Sequence, residues 1–311
     1  MNAFGMWITE NFGKRVRFDE PMHRHTSMGV GGPADIFFRP KTVAELLPVV
    51  AGARRMKIPI TVMGGGTNLL VADSGIRGLT LCLCRLGEKP SAEQTAGDRF
   101  LVSAAAGTGT PTFCRFAIEN GFSGMNFAIG VPGTLGGAVR MNAGTAGTKM
   151  SDRLESLLVL SNSGEVIRMD RMQFRFGYRR MELAPSASVK TFPIVLSLRF
   201  LLARGNRADL AEEAENILKA RRKNQPTALP SAGCFFKNPD RGDSAGMLIE
   251  KSGMKGIATG GAMVSERHAN FIVNTGGATA ADILDLSDQV RRRVFDRFSV
   301  RLKPEVKIVG T

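Results

Sequence analysis

The chain is poor in the residues that mark most metal and thiol sites. Its three histidines, at 23, 25 and 268, are too few and too scattered among 311 residues for a zinc site, so no metal is expected. The four cysteines, at 82, 84, 114 and 234, form no C-x-x-C pair and are too few for a disulfide framework at this length. Cys82 and Cys84 alternate with Leu81 and Leu83, which predicts one face of a strand and two core thiols. One tryptophan and one tyrosine leave no aromatic-rich RNA-binding strand, and paired zinc cysteines are missing too, so no nucleic-acid partner is expected. No apolar run approaches ~18 residues, so no membrane insertion is expected. The N-terminal stretch, with Glu10 and Lys14 after a brief apolar run, lacks a signal-peptide layout. A reducing cytoplasm is the expected location.

What the chain has in excess is glycine and positive charge. Its 36 glycines cluster at 64–66, 130–137 and 256–261, where either tight turns or close approach of backbone to a ligand would need them. The net charge of +14 points to an anionic partner, and both phosphorylated small molecules and nucleic acid carry that chemistry. The basic runs Arg221–Lys223 and Arg291–Arg293 lie in helical pattern, where a charge run is most often a solvated face.

A hydrophobic share of 43% and a charged share of 23% describe a globular chain, long enough for two or three domains. Thr42-Val43-Ala44-Glu45 has the form of a capping box, predicting a helix to about Met56 that stops before Pro59. Strands are predicted at 59–63, 79–83, 100–106, 155–160, 165–169 and 193–201, and helices at 111–120 and 208–223. A break at Ala203–Arg207 opens a last third with helices at 243–251 and 279–298 and strands at 270–274 and 305–309.

The loop after the strand at 59–63 comprises Gly64, Gly65, Gly66, Thr67, Asn68 and Leu69. Several backbone N–H groups pointing one way would make an anion nest there. It is neither a Walker loop, since no Gly-Lys-Ser/Thr follows, nor a Rossmann fingerprint. On its own it reads equally as a plain strand-to-helix turn. A second loop changes that reading: Gly130, Pro132, Gly133, Thr134, Gly136 and Gly137, ending in Asn142, Ala143 and Gly144. Two such loops suit a large bent dinucleotide such as FAD.

The strongest signal is Ser231-Ala-Gly-Cys-Phe-Phe-Lys-Asn238, which sets a thiol on a glycine turn. With Phe176-Gly177-Tyr178-Arg179 and Lys303-Pro304-Glu305-Val306 it offers a thiol, a guanidinium and a carboxylate, a set able to protonate a carbanion beside a carboxylate. These segments resemble the UDP-N-acetylenolpyruvoylglucosamine reductases of peptidoglycan synthesis, over nearly the whole chain from about residue 25. His25-Thr-Ser-Met-Gly-Val-Gly-Gly-Pro-Ala-Asp35 is similar to that family's first motif, except that Gly29 stands where arginine is common. Ala146 departs likewise from a frequent aromatic. A single tyrosine and the short length are similar to the family's shorter, second branch.

The resemblance implies an α+β fold: a two-lobed FAD-binding module of the vanillyl-alcohol-oxidase type (residues 1–84 and 85–204) plus a C-terminal α+β substrate domain (205–311). It implies non-covalent FAD, NADPH as hydride donor, and reduction of UDP-N-acetylglucosamine enolpyruvate to UDP-N-acetylmuramate in cell-wall biogenesis, by a monomer. Arg179, Cys234 and Glu305 take the catalytic positions, with Cys234 where many relatives carry serine. Tyr178, Lys223, Lys237, Asn238 and His268 are the expected substrate contacts, and Lys223 with Arg222 would meet the diphosphate. Another flavin oxidoreductase on the same module would leave residues 231–239 and 303–306 without a task. A basic nucleic-acid-binding protein would explain the charge and nothing else.

Overall fold

The computed structural model describes residues 3–95, 97–145 and 147–310, so the departure at Ala146 lies outside the described residues. The chain forms two compact units that do not follow sequence order. The first takes residues up to 17, then 37–65 and 79–220; the second takes 18–36, 66–78 and 221 onward.

The first unit is built on an antiparallel sheet in the order Val166–Asp170, Leu154–Leu160, Ile194–Arg204, Arg99–Ala105 and Ser91–Gln94, with Phe122–Ser123 beside the end of the long strand. The long strand shows why it forms: Ile194, Leu196, Leu198, Phe200 and Leu202 are buried and alternate with partly exposed residues, the two-residue period of a half-buried sheet. Among the described residues four α-helices lie wholly in this unit: α1 (Ala3–Phe12), α2 (Val43–Arg55), α3 (Thr110–Glu119) and α4 (Leu135–Arg140). Phe113 of α3 meets Phe200 with ring centroids 5.2 Å apart, inside a core that also holds Leu135 and Val139 of α4. Beside this sheet, Ile60–Met63 pairs in parallel with the latter part of Ile76–Cys82. α5 (Arg207–Asn224) runs out of the first unit into the second.

The second unit holds α6 (Ala245–Lys251), α7 (Ala280–Phe298) and a three-stranded meander of Ala258–Thr259, Ala262–Val264 and Ile272–Asn274. Its core gathers Met28, Val30 and Leu70 from early in the chain with Phe235, Phe236, Ile283, Leu286 and Val306. Leu69–Val71 pairs in parallel with Lys307–Val309, and both carboxylate oxygens of Asp73 accept N–H groups at the start of α7, from Ala280 at 2.8 Å and Ala281 at 2.9 Å.

Local differences from the sequence reading have physical causes. Thr42 caps α2 by accepting the Glu45 N–H, but the Glu45 carboxylate turns to the N–H of Lys41 and to Arg15. The strand ends at Cys82, so Cys84 falls in the 3-10 turn Leu83–Arg85 and is half-buried rather than a core thiol. α1 was not expected; Phe4 and Ile8, one turn apart, are fully buried, and Trp7 and Phe4 lie against Gly52 of α2.

Candidate active site

Within the first unit the two glycine loops touch. A Cβ on Gly64 would sit 2.2 Å from Thr134 Oγ1, so only glycine allows this approach. Thr134 caps α4, its Oγ1 accepting the Gly137 N–H at 3.4 Å. The N–H groups of Leu135 and Gly136 donate to Thr108 and Ala106, and Thr110 donates to the carbonyl of Gly133, which ties this loop to the turn before α3. Further along, Ala143 donates to Ala138 and accepts from Met150, and a Cβ on Gly144 would meet the Thr148 carbonyl at 2.5 Å. Among the described residues the N–H groups of Gly65 and Gly66 make no hydrogen bond within the protein, and the buried Ser27 Oγ, whose own N–H donates to Gly66, has no partner. An exposed glycine at 65 and a buried one at 66, both with N–H groups left over, beside an orphaned hydroxyl, fit a diphosphate-bearing dinucleotide.

Arg179 belongs to the first unit as well. It sits with Tyr178 at the turn between Phe174–Gly177 and Arg180–Leu183, and its φ of +52° is the left-handed region that non-glycine residues rarely occupy. Three contacts hold this hairpin to the second glycine loop. Arg179 Nη1 donates to the Gly144 carbonyl at 3.4 Å, Asn142 Nδ2 to the Gly177 carbonyl at 3.0 Å, and the Arg140 guanidinium to the Met181 carbonyl. Arg140 also lies 4.0 Å from the Phe192 ring centroid, and its burial lowers its pKa. The buried Asn142 side chain also accepts the Ser151 N–H, so its amide braces the loop. Tyr178 is exposed, its ring beneath the Arg179 guanidinium at 5.1 Å.

In the second unit, Gly233 takes a φ of +78° and turns the chain into Cys234. The residues after the thiol are fixed from two sides. Phe235 N–H donates to the Asn270 carbonyl at 2.7 Å, and the Asn270 side chain takes both polar groups of Phe236, accepting its N–H at 2.9 Å and donating to its carbonyl at 2.8 Å. From the other side, Glu305 N–H donates to the Phe235 carbonyl at 2.8 Å and Lys237 N–H to Lys303 at 2.9 Å. The structure thus brings the Cys234 and Glu305 segments together. Asn68 joins them, its amide donating to the Glu305 carbonyl at 3.2 Å.

Asn238 Oδ1 accepts the first N–H of α6, from Ala245 at 3.0 Å, while Lys237 is half-buried. His268 accepts the Asn270 N–H at Nδ1, 3.2 Å away, which leaves Nε2 to carry the proton of the neutral ring. Burial lowers its pKa, and Phe271 packs edge-on at 4.8 Å. In the basic run the sequence reading chose Arg222 and Lys223, which are exposed. The residue turned inward is Arg221: burial lowers its pKa, and the neighbouring Cys234 pulls it back up. The signal was present, because Arg221 continues the buried spacing of Leu210 and Ala214 along α5. Asn270 was missed as well, although it stands only two residues after the expected contact His268.

Residues 34–170 match the FAD binding domain family, and residues 225–309 match the C-terminal domain of UDP-N-acetylenolpyruvoylglucosamine reductase. A protein of that name from Desulfosudis oleivorans is 44% identical over 309 residues, covering 99% of each chain. One from Heliobacterium modesticaldum is 43% identical over 97% of this chain and 93% of its own. The crystal structure of the reductase from Thermus caldophilus superposes with a TM-score of 0.77 at 35% identity, covering 95% of this chain and 99% of that one. With the glycine loops, the tethered Arg179 hairpin and the Cys234 and Glu305 segments folded as described, the chain belongs to the UDP-N-acetylenolpyruvoylglucosamine reductase family.

Proposed function

We infer that this chain reduces UDP-N-acetylglucosamine enolpyruvate to UDP-N-acetylmuramate with NADPH, as an FAD enzyme of peptidoglycan synthesis. The observation that carries the reading is the Gly233–Cys234 turn, clamped by Asn270 and by the Glu305 segment. Gly64–Leu69 and the Gly130–Gly144 stretch would hold the cofactor non-covalently, with Asn68 and Asn142 bracing its loops. When bound, the flavin supplies two-electron hydride chemistry.

Reduction of the substrate's methylene carbon leaves negative charge on the adjacent carbon and its carboxylate. Fixed donors aimed at such charge are worth several kcal/mol, roughly 3–4 for one good donor in a dry site. Arg179, already committed to a strained turn, is the cation for that carboxylate. Cys234 gives its thiol proton to the carbon and is reprotonated from solvent. A thiol suits this step, being mostly protonated at neutral pH yet more acidic than a hydroxyl. Glu305 assists as a protonated or hydrogen-bonded acid, because a bare carboxylate would repel the enolate. Lys237, His268 Nε2–H and the exposed face of Asn238 supply contacts for the sugar nucleotide, with Tyr178 on the Arg179 turn. Lys223 and Arg222 meet its diphosphate, and Arg221 steadies the charge around Cys234. We assign residues 1–84 and 85–204 to the cofactor and 205–311 to the substrate, in a cytoplasmic monomer of the family's shorter branch.

The test is direct. The purified protein should be yellow, bleach with NADPH under nitrogen, and recover its colour on addition of the enolpyruvyl substrate. A colourless protein overturns the reading, and a bleached one that the substrate leaves unchanged points to a different flavin oxidoreductase.

A further inference from the structure

Cys82 is almost completely buried at the end of its strand, and Cys84 is half-buried in the turn that follows. Two residues apart, their sulfurs lie 3.1 Å from one another. The Cys82 thiol also reaches the Gly64 carbonyl, at 3.4 Å, so one hydrogen serves two acceptors. Gly64 is the glycine pressed against Thr134, and the turn that carries Cys84 rests on Gly107, where a Cβ would lie 1.9 Å from the Leu83 carbonyl. Gly107 directly precedes Thr108, which accepts the Leu135 N–H of the second glycine loop. All of these residues belong to the first unit. The thiol pair therefore contacts the backbone on which both glycine loops depend.

The two thiols differ in reactivity. The hydrogen bond from Cys82 lowers the Cys84 pKa, and Arg39 and Arg85 add to that effect against burial; the same bond, with burial, raises Cys82. One is the better nucleophile and the other a shielded partner.

We propose that Cys82 and Cys84 form a redox modification site, in which a low-molecular-weight disulfide oxidises them to an intrachain disulfide and loosens the cofactor loop. The inference rests on that loop holding FAD. The Cys84 thiolate attacks one sulfur of the external disulfide, forming a mixed disulfide and releasing one small thiolate. Cys82 then loses its proton and attacks the Cys84 sulfur, forming the Cys82–Cys84 bond and expelling the second small thiolate. The external disulfide is reduced by two electrons and the cysteines are oxidised by two. Cys82 Sγ must move toward Cys84 and no longer has a proton for Gly64. The Gly64 carbonyl loses its partner, and Gly64 cannot follow the sulfur without leaving Thr134.

The reduced, flavin-loaded protein is incubated with glutathione disulfide, alkylated, and split between flavin assay and tryptic mass analysis. The peptide Gly78–Arg85 holds both cysteines and no others. It should appear unalkylated and two hydrogens lighter, with FAD binding weakened about tenfold as that peptide accumulates. C82S should stop at a mixed disulfide on Cys84, and C84S should leave residue 82 unmodified and flavin retention intact. Full alkylation of both cysteines after oxidant overturns the site, and a linked peptide with unchanged flavin affinity overturns its effect on the loop. Protein that carries no flavin before treatment overturns the cofactor reading instead, and the linked peptide still decides the thiol chemistry.

Discussion

Replacing Asn270 by alanine tests whether one amide sets the geometry of the Cys234 segment. In a strand, the N–H and C=O of one residue point the same way and a neighbouring strand takes both; here the Asn270 carboxamide does so for Phe236, at 2.9 and 2.8 Å. Asn270 is 3% exposed and Phe236 1%, so water cannot replace the lost partners without opening the core. Each buried backbone group left unpaired costs about 1–3 kcal/mol, which gives roughly 2–6 kcal/mol for the two that N270A orphans. The same freedom reaches Cys234, two residues earlier, and a misplacement of about 1 Å at a reacting group can cost about 100-fold in rate. The assay pairs urea unfolding with substrate turnover at saturating NADPH. L157A is the control: Leu157 is buried in the first-unit core, and its truncation should destabilise by about 2–5 kcal/mol while sparing turnover of the folded enzyme. If N270A unfolds within about 0.5 kcal/mol of wild type, or is destabilised with turnover intact, the Asn270 amide does not set the geometry of the Cys234 segment.

Three further outcomes follow from the site. C234A should slow substrate reduction by about 10²–10⁴-fold while NADPH still bleaches the yellow enzyme at the wild-type rate, and C234S should keep much of the activity; stopped-flow of the two half-reactions decides, and wild-type reoxidation of C234A would make the thiol a packing residue. G64A should lower the flavin-to-protein ratio, because its methyl group would lie 2.2 Å from Thr134 Oγ1, and an undiminished ratio would count against contact between the loops. Burial holds His268 below its ordinary pKa of 6.5, so below that pH the unfolded chain binds the extra proton first. Stability should therefore fall as pH drops from about 7 to about 5.5, more steeply in wild type than in H268N, and parallel urea midpoints would refute the assignment.

Much of this molecule is legible in its sequence where the pattern is long or the chemistry local. The strand Ile194–Arg204 and the helix Ala280–Phe298 carry their periods openly, and both form close to their expected limits. The octapeptide around Cys234 and the segment at Glu305 could be read as reactive, and the backbone does pair them. Harder to see were residues whose work is done for a distant neighbour. Asn270 resembles any polar residue in an apolar stretch until Phe236, far away in sequence, supplies the backbone groups it satisfies. Arg221 sits in a basic run where charge hides position, and only the helical spacing from Leu210 and Ala214 distinguishes it. Cys84 was assigned to the core because alternation was extended one turn past the end of its strand.

The second unit has a consequence for how the protein is made. Its segments 18–36 and 66–78 emerge early, but their partners lie beyond residue 220, and the strand that pairs with Leu69–Val71 begins only at Lys307. At about 5–20 residues per second, ribosomal synthesis separates residue 78 from residue 307 by roughly 10–50 s. During that interval Met28, Val30 and Leu70, all fully or almost fully buried in the finished protein, have no core to enter. The first unit's sheet can close once residue 204 is out, whereas the second must wait for its last strand. The nascent chain therefore carries uncovered apolar side chains at its leading end, and removal of residues 305–311 should be far more damaging than so short a cut suggests.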